Sequence, residues 1–200
     1  MQLFHAPDGK PRCGWAGAAP EFLHYHDCEW GFPVADDRKL FEKLCLESFQ
    51  SGLSWRTILN KRENFRAAFH DFDIARVAAF DQRDVERLLE DKGIVRNRAK
   101  IEAVVNNARC ALQMVEREGG LATFFWRYEA DPKTQAEAQT VTVSNESIAL
   151  SKTLKKLGWK FVGPTTAYAF LQSMGLVNDH LEDCVIRHQV ASARQQFQRP

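Results

Sequence analysis

The two ends of the chain carry matched pairs of metal-type donors, and no other feature constrains the fold as much. Cys13 lies in RCGW and His26 in YHDCEWG, while His180 and Cys184 close the run NDHLEDC. The second pair is spaced i, i+4, which predicts both donors on one face of a last helix. Two thiolates and two imidazoles suit a closed tetrahedral zinc site of the structural kind. Such a site would join segment 13–26 to segment 180–184 across more than 150 intervening residues. Spacing alone leaves alternatives open. H-x-x-x-C is a short pattern, and the first pair is set wider than in a zinc finger. Two unrelated buried cysteines with two surface histidines remain a reading. So does a rival donor set of His24, His26 and Cys28, which alternate as on a strand face in a run that also reads as helical.

The length of 200 residues predicts one domain, or one with a small lobe, over 1–200. A hydrophobic fraction of 44% fills a core and argues against disorder. The net charge of +1 excludes a globally basic binder, so any nucleic-acid footprint is local. Five irregularly spaced cysteines behind a polar start with no signal-peptide pattern predict reduced thiols in the cytoplasm. No apolar run approaches the length needed to cross a bilayer.

Four of the seven prolines fall in the first 33 residues and the next 98 residues have none, which predicts an irregular arm before a helical body. Asp36 or Asp37 caps a helix with Leu40, Phe41, Leu44, Cys45 and Phe49 inward, broken at Gly52. A second helix runs from about Ser54, with Trp55, Ile58, Leu59, Phe65 and Phe69 inward. Short helices follow near Asp73–Phe80 and Asp84–Leu89. Ile101, Val104, Val105, Ala108 and Leu112 mark a long amphipathic helix ended by Gly119 and Gly120. Leu121–Tyr128 is a further candidate, and residues 130–141 read as a polar loop. Helices from about Glu146 to Leu157, from Pro164 to near Gly175, and over His180 and Cys184 complete the chain. There is no sustained period-2 alternation, and the class is all-α.

Asp84–Arg109 reads as a helix-hairpin-helix with Gly93 in the turn. The start of the second helix offers backbone N–H groups and a positive dipole end to a phosphate. Arg96, Arg98 and Lys100 stand beside it, and Lys92 to Arg109 holds five basic residues against one acid, Glu102. A solvated helical edge without function is the plainer reading of such a cluster, and also of Lys152, Lys155, Lys156 and Lys160. In CLESFQSGLSW, Glu47 lies among apolar neighbours, either exposed or anchoring a pocket. Leu53, after Gly52, is either core or a projecting wedge. The five tryptophans, Trp15, Trp30, Trp55, Trp126 and Trp159, are mostly core residues by type, but a pocket lined by them, with Tyr25 adding a hydroxyl, would stack a planar base.

The blocks RCGW, YHDCEWG, CLE-x-x-Q-x-GLSW, KREN-[FY]-R, GI-[IV]-R-x-R-x-KI, KFVG and GLVNDH resemble, in order, the 3-methyladenine DNA glycosylase I family of bacterial base-excision repair, from about Arg12 to Cys184. The resemblance implies an all-α helix-hairpin-helix glycosylase fold with one structural zinc on Cys13, His26, His180 and Cys184. It implies a base pocket of Tyr25, Glu47, Trp55 and Trp15, with Glu47 and Tyr25 as the catalytic candidates. Gly52 and Leu53 fall at the plug that fills the gap left by an extruded nucleotide, and Gly93, Val95, Arg96, Arg98 and Lys100 at the DNA-facing hairpin. The implied partner is double-stranded DNA with alkylated adenine, met by a cytoplasmic monomer. Ser48 and Phe49 stand where better-known members carry Gly and Gln, and they follow Glu47 directly. No Asp follows Lys100 where other helix-hairpin-helix glycosylases place a catalytic one.

Methylation at ring nitrogen 3 makes adenine cationic and weakens its glycosidic bond, so the base leaves neutral without a strong general acid. The enzyme must extrude the nucleotide and hold the damaged base. A zinc-stabilised DNA-binding module without catalysis would need no pocket. A zinc hydrolase or deaminase would need an open metal position that a filled Cys2His2 shell denies.

Overall fold

The apolar stripes of the body form helices, and Asp36, Ser54, Asp73, Asp81, Asn97 and Ser144 cap six of them through side-chain oxygens. This computed structural model describes residues 2–200. The arm departs from the all-α expectation: β1 (Leu3–His5) pairs antiparallel with β2 (Pro11–Cys13), Leu3 opposite Cys13. Three-residue strands are too short to show alternation. Gly9, at φ +75°, lets the chain reverse, and Asp8 accepts the Lys10 N–H at 3.0 Å. Arg12 then bridges Asp8 and Asp27, tying the hairpin to α1 (Pro20–Cys28).

Helix α2 (Asp37–Gln50) crosses the core and buries Leu40, Phe41, Leu44, Leu46 and Phe49. The helix expected beyond Ser54 is two, α3 (Trp55–Asn60) and α4 (Arg62–Ala68), broken at Lys61 (φ −101°, ψ 1°). Beyond the break Phe65 and Phe69 pack on Phe49, ring centroids 4.6 and 6.1 Å away. Next come α5 (Ile74–Ala78) and α6 (Gln82–Glu90), which starts nearer the N-terminus than expected because Asp81 and Asp84 form a capping box. Residues 91–97 lead into α7 (Arg98–Glu118), the longest helix. Its inward stripe uses Ala111 and Met114, and Leu112 is exposed. The fold is completed by α8 (Leu121–Phe125), α9 (Asn145–Lys156), α10 (Pro164–Ser173) and α11 (Val185–Gln196).

His180 and Cys184 are not on a helix. They occupy the turn before α11, with Cys184 at its N-cap. Asn178 Oδ1 accepts the His180 N–H at 3.4 Å, and the Cys184 N–H donates to the Leu181 carbonyl at 3.0 Å. Local bonds of this kind compete with helix formation, and here they win. Among the described residues no helix is long and apolar enough to cross a membrane.

Candidate active site and metal cluster

Three helix segments meet to build a cleft of about 610 Å³: α1 supplies Tyr25, α2 supplies Glu47 and the first turn of α3 supplies Trp55. Trp15, from the arm, closes the same wall. The four predicted pocket residues therefore come together. Tyr25 and Trp55 lie tilted with ring centroids 5.3 Å apart, and Trp15 stands 6.2 Å from Tyr25. Gln139 and Tyr168 also line the cleft, Gln139 from the stretch 130–141 expected to be a polar surface loop. Ser48 and Phe49 do not line the cleft. Ser48 donates to the carbonyl of Leu44, and Phe49 is fully buried in the core. Their variation alters packing behind the pocket, not its lining.

Sequence reading also missed Lys43, whose signal was its place one turn before Glu47 on the same helix face. Its Nζ is 3.1 Å from Glu47 Oε1, donates to Tyr25 Oη, and sits 3.7 Å from the centroid of Trp55. Both members of the pair are buried. Burial pushes the Glu47 carboxyl up, opposed by Lys43, and pushes the Lys43 ammonium down, opposed by Glu47. Burial, and then the nearby charges of Glu47 and Glu29, hold the Tyr25 phenol well above its ordinary range. Tyr25 thus keeps its proton and, accepting from Lys43, can donate it elsewhere.

At the joint of the two termini, Cys13, His26, His180 and Cys184 bring one donor atom each within 4.8 Å of one another, all four buried. Cys184 Sγ is 3.6 Å from both His26 Nε2 and His180 Nδ1, and Cys13 Sγ is 3.8 Å from His180 Nδ1. These are the edges of a tetrahedron whose centre suits a small divalent ion. The outward nitrogens are held as metal-binding imidazoles require: His26 Nδ1 by Asp27 at 2.7 Å, His180 Nε2 by the Trp30 carbonyl at 3.0 Å. The closeness of the two sulfurs holds Cys184 below the ordinary thiol range and Cys13 above it. A cation between them is what lets both be thiolates. The rival set fails, since His24 and Cys28 are exposed and point away from His26 around α1.

Gly52 and Leu53 follow Ser51, the C-cap of α2, between the cleft residues Gln50 and Trp55. Gly52 has φ +76°, and Leu53 projects outward, 42% exposed. In the 91–97 turn, Asp91 Oδ1 accepts the Gly93 N–H at 2.7 Å, and Lys61 Nζ and Asn64 Nδ2 donate to the Gly93 carbonyl. Val95 is half-buried against the core, and Arg96 is exposed. Arg98 is paired with Glu86 at 2.8 Å and reaches Glu102 at 3.6 Å. Lys100 departs from the expected placement. It turns inward, and its Nζ donates to the carbonyls of Phe49 and Ser51, left unpaired at the end of α2.

A model of the methyladenine glycosylase family matches residues 15–188. The chain is 50% identical to DNA-3-methyladenine glycosylase 1 of Escherichia coli (strain K12), over 86% of this chain and 95% of that protein. A crystal structure of 3-methyladenine DNA glycosylase I superposes with TM-score 0.81 at 48% identity, covering 87% of this chain and 98% of the other. A Staphylococcus aureus structure on the basis of 3-methyladenine recognition superposes with TM-score 0.82 at 41% identity, covering 88% and 95%.

Proposed function

The chain belongs to the methyladenine glycosylase family, and we propose that it is a monofunctional DNA-3-methyladenine glycosylase of base-excision repair. The observation that carries this reading is a buried carboxylate, Glu47, in an aromatic-walled cleft open to one side.

An extruded base enters between Trp15, Tyr25 and Trp55. Glu47 accepts from its exocyclic amine and complements the positive charge of the methylated ring. Trp55 stacks on that ring, and the Tyr25 hydroxyl donates to its edge. Because methylation has already weakened the glycosidic bond, the residues need only hold the base while water attacks the sugar and the base departs neutral. Unmethylated adenine lacks the charge and leaves polar groups of the cleft unsatisfied.

On the DNA side, α6, the 91–97 turn and α7 make the helix-hairpin-helix, spanning about residues 84–109. Its backbone N–H groups near the start of α7 take a phosphate, with Arg96 beside them. Gly52 carries Leu53 out as the wedge that fills the emptied stack. Lys100 serves this surface indirectly, by fixing the wedge-bearing end of α2 to the start of α7.

Cys13, His26, His180 and Cys184 would hold one zinc ion, which supplies a structural cross-link between the termini. The donor set leaves no open position for substrate. Residues 1–200 act as one domain, a cytoplasmic monomer on double-stranded DNA containing alkylated adenine. The test is incubation with methylated DNA and identification of the released bases: free 3-methyladenine, with the sugar-phosphate chain left uncut, is expected. DNA binding without base release would reduce the protein to a binding module.

A further inference from the structure

Phe161, in the turn between α9 and α10, is 39% exposed and sits at φ +55°, a left-handed conformation that a bulky aromatic rarely adopts. Three buried polar side chains, Asn107, Ser48 and Ser151, hold the backbone of this turn. Asn107 of α7 accepts the Lys160 N–H at 2.8 Å and donates to the Lys160 carbonyl at 2.9 Å. Ser48 of α2 donates to the Phe161 carbonyl at 3.0 Å, and Ser151 of α9 to the Val162 carbonyl at 2.7 Å. Backbone strain of this kind persists only where the surroundings over-determine it. Its product here is an aromatic ring turned out of the core.

The anchors fix where that ring stands. Ser48 is on α2, whose end leads to Leu53, and Asn107 is on α7, which begins at the hairpin. Gln50, just after Ser48, and Thr165, just after the turn, both line the cleft. The turn therefore lies beside the cleft, on the same α2–α7 frame that carries the hairpin and the wedge. Its charge is one-sided. From Ser147 to Asn178 the chain has four lysines, Lys152, Lys155, Lys156 and Lys160, and no acid, and all four are exposed. An exposed aromatic beside uncompensated cations suits a polyanion with apolar sugars and base faces.

We propose, on the glycosylase reading, that the turn 158–161 is a second DNA-contacting element, separate from the hairpin. Phe161 packs against the nucleotides beside the gap that Leu53 fills, and Lys160 binds a phosphate next to it. Ser48, Asn107 and Ser151 are positioning residues that hold the ring rigid for this contact.

The test measures affinity for a duplex carrying a tetrahydrofuran abasic analogue, by fluorescence anisotropy over a series of salt concentrations. Phe161→Gly suits the left-handed backbone, so its melting temperature should match or exceed the native one. Its duplex affinity should nevertheless fall on the order of tenfold. Lys160→Met should make the plot of log affinity against log salt shallower by about 0.9, the share of one phosphate contact. Affinity for free 3-methyladenine should stay native in both variants. Native duplex affinity in Phe161→Gly, an unmoved salt slope in Lys160→Met, or a loss of free-base affinity in either overturns the proposal alone. A native protein that does not bind the duplex overturns the glycosylase reading, and this inference with it.

Discussion

The Nζ of Lys100 lies 2.9 Å from the carbonyl oxygen of Phe49, so the first turn of α7 is bound to the last turn of α2. The same ammonium group satisfies Ser51. Lys100→Met removes the donor and leaves carbonyls at a helix end unpaired. We expect a loss of about 1–3 kcal/mol in urea unfolding. Excision should fall with it, because the loop that carries Leu53 loses its anchor. An unchanged unfolding midpoint would show that the contact contributes nothing.

Leu53 tests the wedge separately from the fold. It is 42% exposed, so Leu53→Ala should change stability by no more than about 0.5 kcal/mol. Base release from duplex DNA should drop on the order of tenfold, since filling the gap offsets the cost of unstacking. Affinity for free 3-methyladenine should not move. Equal loss on both substrates would place Leu53 in the pocket instead.

Metal analysis should find one zinc per chain. Cys184→Ala opens the cluster and should lower the melting temperature by roughly 4–8 °C, equivalent to about 2 kcal/mol for a chain of this size. Activity per folded molecule should survive, because the cluster touches no substrate. Loss of activity in a variant that melts normally would give the metal a part in the chemistry.

Glu129 gives the acid limit of stability a specific site. Burial works to raise its carboxyl, but hydrogen bonds from Arg199 and Arg194 outweigh it and hold the group below its ordinary value of 4.5. A depressed folded value means that the contribution is present above about 4.5 and is lost as pH falls through the folded value. Melting curves of the native protein and Glu129→Gln should therefore differ most above pH 4.5 and converge in acid. A gap that stays constant across that range would remove Glu129 from the acid transition.

The helical body was legible because apolar stripes and caps are local signals. Asp36 and Ser54 begin helices as read, and Leu40, Phe41 and Phe49 face inward. The pocket residues and metal donors came with the family's motifs. What escaped was set by contacts distant in sequence. The inward turn of Lys100 depends on carbonyls about 50 residues away, and the break at Lys61 has no glycine or proline to announce it. The turn at 178–184 defeats the i, i+4 inference, because that spacing also suits two donors folded around one point. Lys43 was written beside Glu47 all along, but only the burial of both turns a common i, i+4 pair into part of the site.

The central claim rests on Glu47, and single-turnover release of 3-methyladenine from methylated DNA tests it most directly. With Glu47→Gln the base loses a charged acceptor and meets the unopposed charge of Lys43. The rate per folded molecule should fall by about 10- to 100-fold, with the helical content retained. A Glu47→Gln protein that releases the base at the native rate would contradict the account.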